Sequence, residues 1–133
     1  MMEKRLVLGR RVLGIRCSDE CNSEIYNSFF KIIDNFSYEL EGLMDEYELP
    51  EEVLINFKEG EGELYGFYYV QGKRISKNVI VIDIYTKPFA KFKGKLLNKE
   101  LLDTFVHEII HHSVRSEKET RKMVKEFMMN VKF

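Results

Sequence analysis

Asp103-Thr104-Phe105-Val106-His107-Glu108-Ile109-Ile110-His111-His112 is the stretch from which the rest of the chain can be read. It holds all three histidines of the protein, and His107-Glu108-Ile109-Ile110-His111 within it is an H-E-x-x-H sequence. On a helix, residues four apart share a face one turn apart. His107 and His111 can therefore point two imidazoles at one metal ion. Glu108 lies a little round the helix, close enough to act on a metal-bound water. Leu101, Leu102, Phe105, Val106 and Ile109 recur at helical spacing and form one apolar face. On a wheel of roughly 100° per residue, the two histidines lie nearly opposite the middle of that face. One side of the helix then packs on a core and the other looks into a cleft. Asn98 is expected as the N-cap, Thr104 on the cleft wall, and His112 near the apolar edge, as a poorer ligand than His111.

Two histidines do not complete a zinc site, because catalytic zinc takes three protein ligands and keeps one position for water. Downstream, Ser116 reads as the N-cap of a last helix, with Glu119 at the capping-box position. Met123, Val124, Phe127, Met128 and Val131 give that helix its apolar face. Glu117 lies nearer that face than Glu119 does. Glu117 is therefore the first candidate for the third ligand, with Glu119 next and Glu126 behind. Each can also be an exposed carboxylate, favoured in the first turn by the helix dipole.

His107-Glu108-x-x-His111 followed by a glutamate on the next helix resembles the zincin metallopeptidases. It is most similar to the gluzincin branch, whose third ligand sits on a glutamate helix. The short length resembles the single-domain minigluzincins. The run Glu117-Lys118-Glu119-Thr120-Arg121-Lys122-Met123 is similar to the corresponding helix of H-E-x-x-H peptidases that cleave transcriptional repressors. The motif-level match covers residues 98–131. Two features depart from the gluzincin pattern. The spacer from His111 to the glutamate is shorter than in the large gluzincins. It equals the spacing to the third ligand in metzincins, but Val114 replaces the glycine on which that chain turns.

The remaining sequence fits a frame for such a site. The 133 residues suit one domain, 1–133, with one core. At 44% hydrophobic and 32% charged, the composition is that of a globular protein. A net charge of −1 makes no global electrostatic demand for nucleic acid or membrane. No transmembrane run or secretory signal is read, so a cytoplasmic location is expected. Cys17 and Cys21 then read as reduced thiols at a helix start; the alternative is that one of them binds zinc and silences the site.

Residues 4–17 alternate short apolar runs with glycine and arginine and predict one or two short strands. Lys4, Arg5, Arg10, Arg11 and Arg16 make this arm basic, most simply as a solvated strand face. Residues 19–47 read as one long amphipathic helix, capped around Ser18-Asp19-Glu20, with Gly42 as a possible kink. Three strands follow. Val53, Ile55 and Phe57 alternate along the first, and Glu59-Gly60-Glu61-Gly62 is a turn. The second runs from Leu64 to Val70, with a turn at Gln71-Gly72-Lys73. The third, Val79-Ile80-Val81-Ile82-Asp83-Ile84, reads as covered on both faces. The segment from Thr86 to Lys95 is a basic, aromatic loop that could contact substrate or partly cover the cleft. The expected class is α+β: a long backing helix, a small and mainly antiparallel sheet of three to four strands, an active-site helix and a C-terminal glutamate helix.

The chemistry expected is metal-assisted hydrolysis of a peptide or protein substrate. Zn2+ would be held by His107, His111 and Glu117, with Glu108 as general base. Tyr85, Arg115 and Arg121 are candidates for stabilising the oxyanion by position only. The alternative is a non-catalytic zinc-binding or regulatory interaction module, closed by a fourth ligand such as Cys17 or His112. Nucleic acid and membrane are not expected as partners, and the oligomeric state is left open.

Overall fold

The computed structural model describes residues 2–17, 22–58, 66–68 and 79–131, with the backbone alone at 2 and 66–68. The expected cap at 18–20, Cys21, the turns at 59–62 and 71–73 and both ends of the middle strand lie outside the described residues.

The basic arm is a hairpin of two full strands, β1 (Met2–Leu8) and β2 (Arg11–Cys17), paired antiparallel with Leu8 opposite Arg11. Gly9 takes the first of the two loop positions with φ +63°, where tight hairpin turns need positive φ. The cations of the arm are engaged within the chain. Arg5 meets Glu52 at 3.5 Å, Arg16 meets Glu3 at 3.2 Å, and Lys4 lies 4.8 Å from the centre of the Phe30 ring. Arg11 is buried, with Nε donating to the Leu49 carbonyl at 3.0 Å and its guanidinium paired with Asp45.

The expected long helix is two helices, α1 (Ser23–Asn35) and α2 (Ser37–Glu46). The break falls at Phe36 (φ −119°, ψ 27°), not at Gly42, which lies inside α2. Its cause is packing: the Phe36 ring is buried, and the chain bends there so that both helices keep their apolar faces on the core. α1 buries Ile25, Tyr26, Phe29, Ile32 and Ile33, and α2 buries Leu40, Leu43 and Met44. The apolar period runs unbroken through the bend, which is why periodicity alone reads one helix. Asn22 caps α1, its side-chain oxygen accepting from the N–H groups of Glu24 and Ile25.

The α+β class holds, but the sheet is larger and more parallel than expected. β3 (Glu52–Lys58), β4 (Gly66–Tyr68) and β5 (Val79–Tyr85) join the hairpin in the order β1-β2-β3-β5-β4. β2, β3 and β5 run parallel; only the outer pairs, β1 with β2 and β4 with β5, are antiparallel. The parallel pairing of β2 with β3 follows from the helices between them, since a helical crossover returns the chain to the end it left. One face of the sheet is dry. Leu13, Ile15 and Cys17 of β2, Val53, Ile55 and Phe57 of β3, and Ile80, Ile82 and Ile84 of β5 all face the helices. The opposite face is half-buried, so β5 is not covered equally on both sides as its apolar run suggested. Asp83 is the buried carboxylate of that face, held by Asn56 at 3.2 Å and Lys58 at 2.9 Å.

A 3₁₀ turn (Lys87–Phe89) plugs the buried Phe89 into the core and leads to α3 (Gly94–His111). α3 starts a turn before the expected cap at Asn98. Its N-cap is Lys93, with no side-chain cap bond, and Gly94 enters with φ +56°. The added turn carries Leu97, which extends the buried row of Leu101, Phe105 and Ile109. α4 (Glu117–Asn130) closes the fold against α3, with Ser116 accepting from the Glu119 N–H at 3.3 Å.

α2 ends in a Schellman motif: the Leu49 N–H bonds to the Met44 carbonyl and the Glu48 N–H to that of Asp45. Glu48 occupies the left-handed position (φ 52°), where glycine is usual. Relief of that backbone cost outweighs the extra freedom glycine has when unfolded. Glu48→Gly is therefore expected to raise unfolding stability by about 0.5–1 kcal/mol. A urea midpoint that stays put or falls would show that the glutamate side chain contributes more than its backbone costs.

Candidate metal centre

His107 and His111 stand on the last turn of α3, and their rings stack with centroids 4.7 Å apart and 26° between planes. Glu117, the first residue of α4, reaches back across both. Its Oε2 lies 2.6 Å from His111 Nε2, and its Oε1 lies 3.1 Å from His107 Nε2. One ligand atom from each of the three residues can be chosen so that all lie within 4.8 Å of one another. A tetrahedral site with bonds near 2.1 Å puts its ligand atoms about 3.4 Å apart. Glu117 Oε2 already lies 3.4 Å from His107 Nε2, and opening its 2.6 Å contact to His111 Nε2 by less than an ångström gives both glutamate pairs that spacing; with one ligand atom of each residue inside 4.8 Å, the three side chains can close on a divalent metal ion.

The surroundings orient the donors. His111 Nδ1 faces the Val114 carbonyl at 2.9 Å. With that nitrogen donating, Nε2 is the one turned to the ligand side, the arrangement by which a second partner fixes a metal-binding imidazole. The Val114 carbonyl also accepts from Thr120 Oγ1 at 3.3 Å. Arg121 Nε donates to Glu117 Oε1 at 2.9 Å, steadying the carboxylate from one turn further along α4. Burial lowers the His107 pKa further than the Glu117 charge raises it, which keeps its imidazole neutral for coordination. Burial raises Glu117, but its hydrogen bond to His111 and the charges of both histidines hold it below the ordinary carboxylate value.

Glu108 is 6% exposed, in sharp contrast to the surface glutamates. Burial pushes its carboxyl up to about 7; the charge of His111 pulls it down and that of Glu117 pushes it further up. A carboxyl with a pKa near neutrality can both take and return a proton at working pH.

The other candidates fall elsewhere. Glu119 sits at the cap of α4, and Glu126 is exposed on the same helix; neither joins the His107, His111 and Glu117 group. His112 is the C-cap of α3. Thr104, expected on the cleft wall, is buried. Cys17 is fully buried on β2 and disulfide-bonded, not a reduced thiol as expected, and so offers no thiolate to a metal. One contributor escaped the sequence: the Val114 carbonyl is a backbone group and leaves no signature in residue type. Arg121 stood among the oxyanion candidates, but its contact here is with Glu117, a pairing that its spacing of four from that residue could have signalled.

Beside His107 a cleft of about 390 Å3 opens between α3 and α4. Among the described residues, no helix is long and apolar enough to cross a membrane. No protein-family model matches the chain, and no curated protein or solved structure is significantly similar to it.

The raised Glu108 carboxyl makes a prediction for the metal-free protein. Unfolded, the group releases its proton near 4.5; folded, it keeps it to about 7. The folded state therefore binds more protons in that window, and stability falls as pH rises through it. The full cost, on the order of 3 kcal/mol, applies above about pH 7. Chelator-treated Glu108→Gln should melt higher than wild type at pH 8, and the difference should shrink as pH is lowered toward 4.5. A pH-independent difference would mean that Glu108 ionises freely in the fold.

Proposed function

We propose that the chain is a zinc-dependent metallopeptidase of the zincin kind, with its metal held by His107, His111 and Glu117 and with Glu108 as general base. The observation that carries this reading is the meeting of three ligand atoms from two helices beside a buried carboxyl shifted toward neutral pKa. Zinc, when bound, supplies an activated water and polarises the carbonyl under attack.

The chain's own groups have separate tasks in this reading. Val114 and Arg121 hold His111 and Glu117 in place, so that little reorganisation is left to the moment of binding. Glu108 accepts the proton of the attacking water and returns it to the leaving amine. Its burial serves this exchange, because a fully solvated carboxylate is too weak a base near pH 7. β4 ends the sheet and packs against α3. Among the described residues no strand pairs with its outer edge, and that edge could align an extended peptide by strand addition next to the helix that carries the site.

The alternative, a non-catalytic zinc-binding or regulatory interaction module, calls for a fourth protein ligand. Among the described residues no further histidine, cysteine, aspartate or glutamate joins the three. A three-ligand set with one open position is the pattern of catalytic zinc. The proposed setting is the cytoplasm. The disulfide at Cys17 runs against it, because reducing compartments keep thiols free.

Metal content and hydrolysis test the proposal together. Wild type is expected to carry about one zinc per chain, and His107→Ala and Glu117→Ala to lose it. Glu108→Gln should keep the zinc while its cleavage of a peptide library drops by roughly 10²–10⁴-fold. Wild type that neither holds nor takes up zinc, or a Glu108→Gln variant that cleaves as well as wild type, would sink the peptidase reading.

A further inference from the structure

The cleft beside His107 has a chemistry of its own. Its floor is apolar, made by Val124 and Met128 of α4 with the 75% exposed Met129 at the rim. Its walls carry three cations, Lys99 from α3 and Arg121 and Lys125 from α4. The single opposing carboxylate among the lining residues is Asp103, half-buried on α3 and four residues from both Lys99 and His107. Among the described residues, Lys99 and Lys125 make no ion pair, whereas the cations of the hairpin arm are mostly engaged. What sets these lysines apart is their place: with Arg121 they put three cations against one carboxylate around an apolar floor, which gives the cleft a positive rim. At about 390 Å3 the cleft has room for more than one side chain.

We infer that this cleft is the subsite for an acidic residue of a bound peptide, most simply a glutamate beside the cleaved bond. Its carboxylate meets Lys99 and Lys125, and its methylene stem lies on Val124, Met128 and Met129. Arg121 joins Glu117 to the same wall, because its Nε is 2.9 Å from Glu117 Oε1. An anionic residue placed here is drawn toward the cationic rim while the adjoining backbone passes His107. The assignment rests on the peptidase reading for the cleavage it directs, but the binding it describes needs no hydrolysis.

Two measurements on the zinc-loaded chain keep those two layers apart. The probes are internally quenched, alanine-based peptides that carry Glu, Gln or Lys at the positions flanking the centre. Cleavage is followed in wild type, and binding of the dye-labelled peptides is followed by anisotropy in Glu108→Gln. The Glu peptides should be preferred over the Gln peptides in both. The double reversal Lys99→Glu/Lys125→Glu should lower that preference by on the order of tenfold and turn it toward the Lys peptides. Both lysines are exposed, so the fold is not at stake, and the Lys99→Gln/Lys125→Gln pair checks that charge rather than bulk is responsible. Selective binding that the reversal abolishes, without cleavage by wild type, would uphold the subsite and remove the peptidase. Cleavage with no preference for Glu, or with a preference indifferent to the reversal, would overturn the subsite and leave the peptidase standing. Peptides neither bound nor cut would overturn both.

Discussion

Phe29 stands between the sheet and the helix that carries the metal-binding side chains. Its ring meets Phe57 of β3 at 4.9 Å and Phe105 of α3 at 5.0 Å, edge to face in both cases. Edge-to-face aromatic contacts resist sliding because the ring edge must stay over the partner's face. Phe105 precedes His107 by two residues, so the contact that fixes its ring also sets the rotation of α3 about its axis. With the row of Leu97, Leu101, Phe105 and Ile109 buried, the histidines have only the far side of the helix to occupy. The side of the helix on which the imidazoles stand is thus a consequence of core packing, and their own contacts with Val114 and Glu117 then orient the rings.

Glu108 is where the two demands on α3 collide. It lies one residue beyond His107, rotated toward the packed side, and it is nearly as buried as the leucines. An ionised carboxylate there costs free energy that a leucine would not, and the raised pKa is the measure of that cost. Glu117 shows the opposite balance. It is half-exposed and stabilised by two imidazoles and the Arg121 guanidinium, which hold it in its charged form. Two glutamates nine residues apart in the chain are thereby tuned in opposite directions by environment alone. A separation of that kind is what lets one carboxylate serve as a permanent anion and the other exchange protons.

Much of this was legible in the residues, and the failures have identifiable causes. The period of Leu101, Phe105, Val106 and Ile109 located α3 and its buried face, and Ser116 with Glu119 located the start of α4. The meeting of His107, His111 and Glu117 could be anticipated because it depends on one helix face and one adjacent cap. What periodicity could not supply was anything set by tertiary contact. The bend at Phe36 keeps the apolar phase, so no pattern marks it. The parallel pairing of β2, β3 and β5 depends on which strands become neighbours, which composition does not encode. The early start of α3 was missed because reading for a capping side chain favours Asn98, whereas the helix enters through Gly94 without one. Asp83 was visible as an interruption of an apolar strand, but its partners Asn56 and Lys58 come from a strand far off in sequence.

The connection between α3 and α4 explains how a short spacer can still deliver Glu117 to the histidines. Val114 stands where a glycine would ease a sharp turn, yet among the described residues only Glu48, Gly9 and Gly94 have positive φ, so this connection does not use the left-handed region. The chain turns instead by prolonging helical bonding. His112 N–H reaches the Ile109 carbonyl, and the Ser113 and Val114 N–H groups both reach that of Ile110. The Val114 carbonyl then turns inward to His111 Nδ1 and Thr120 Oγ1 together. A β-branched residue suits that role, since its side chain packs partly against the core while its backbone faces the site. Ser116 ends the turn in extended conformation (φ −71°, ψ 120°) and starts α4 with Glu117 as its first residue, directed back at the last turn of α3. The same carbonyl therefore sets the tautomer of one ligand and the entry of the helix that brings another. A glycine at 114 would loosen both at once, because the freedom it adds to the turn is freedom taken from the geometry of the site.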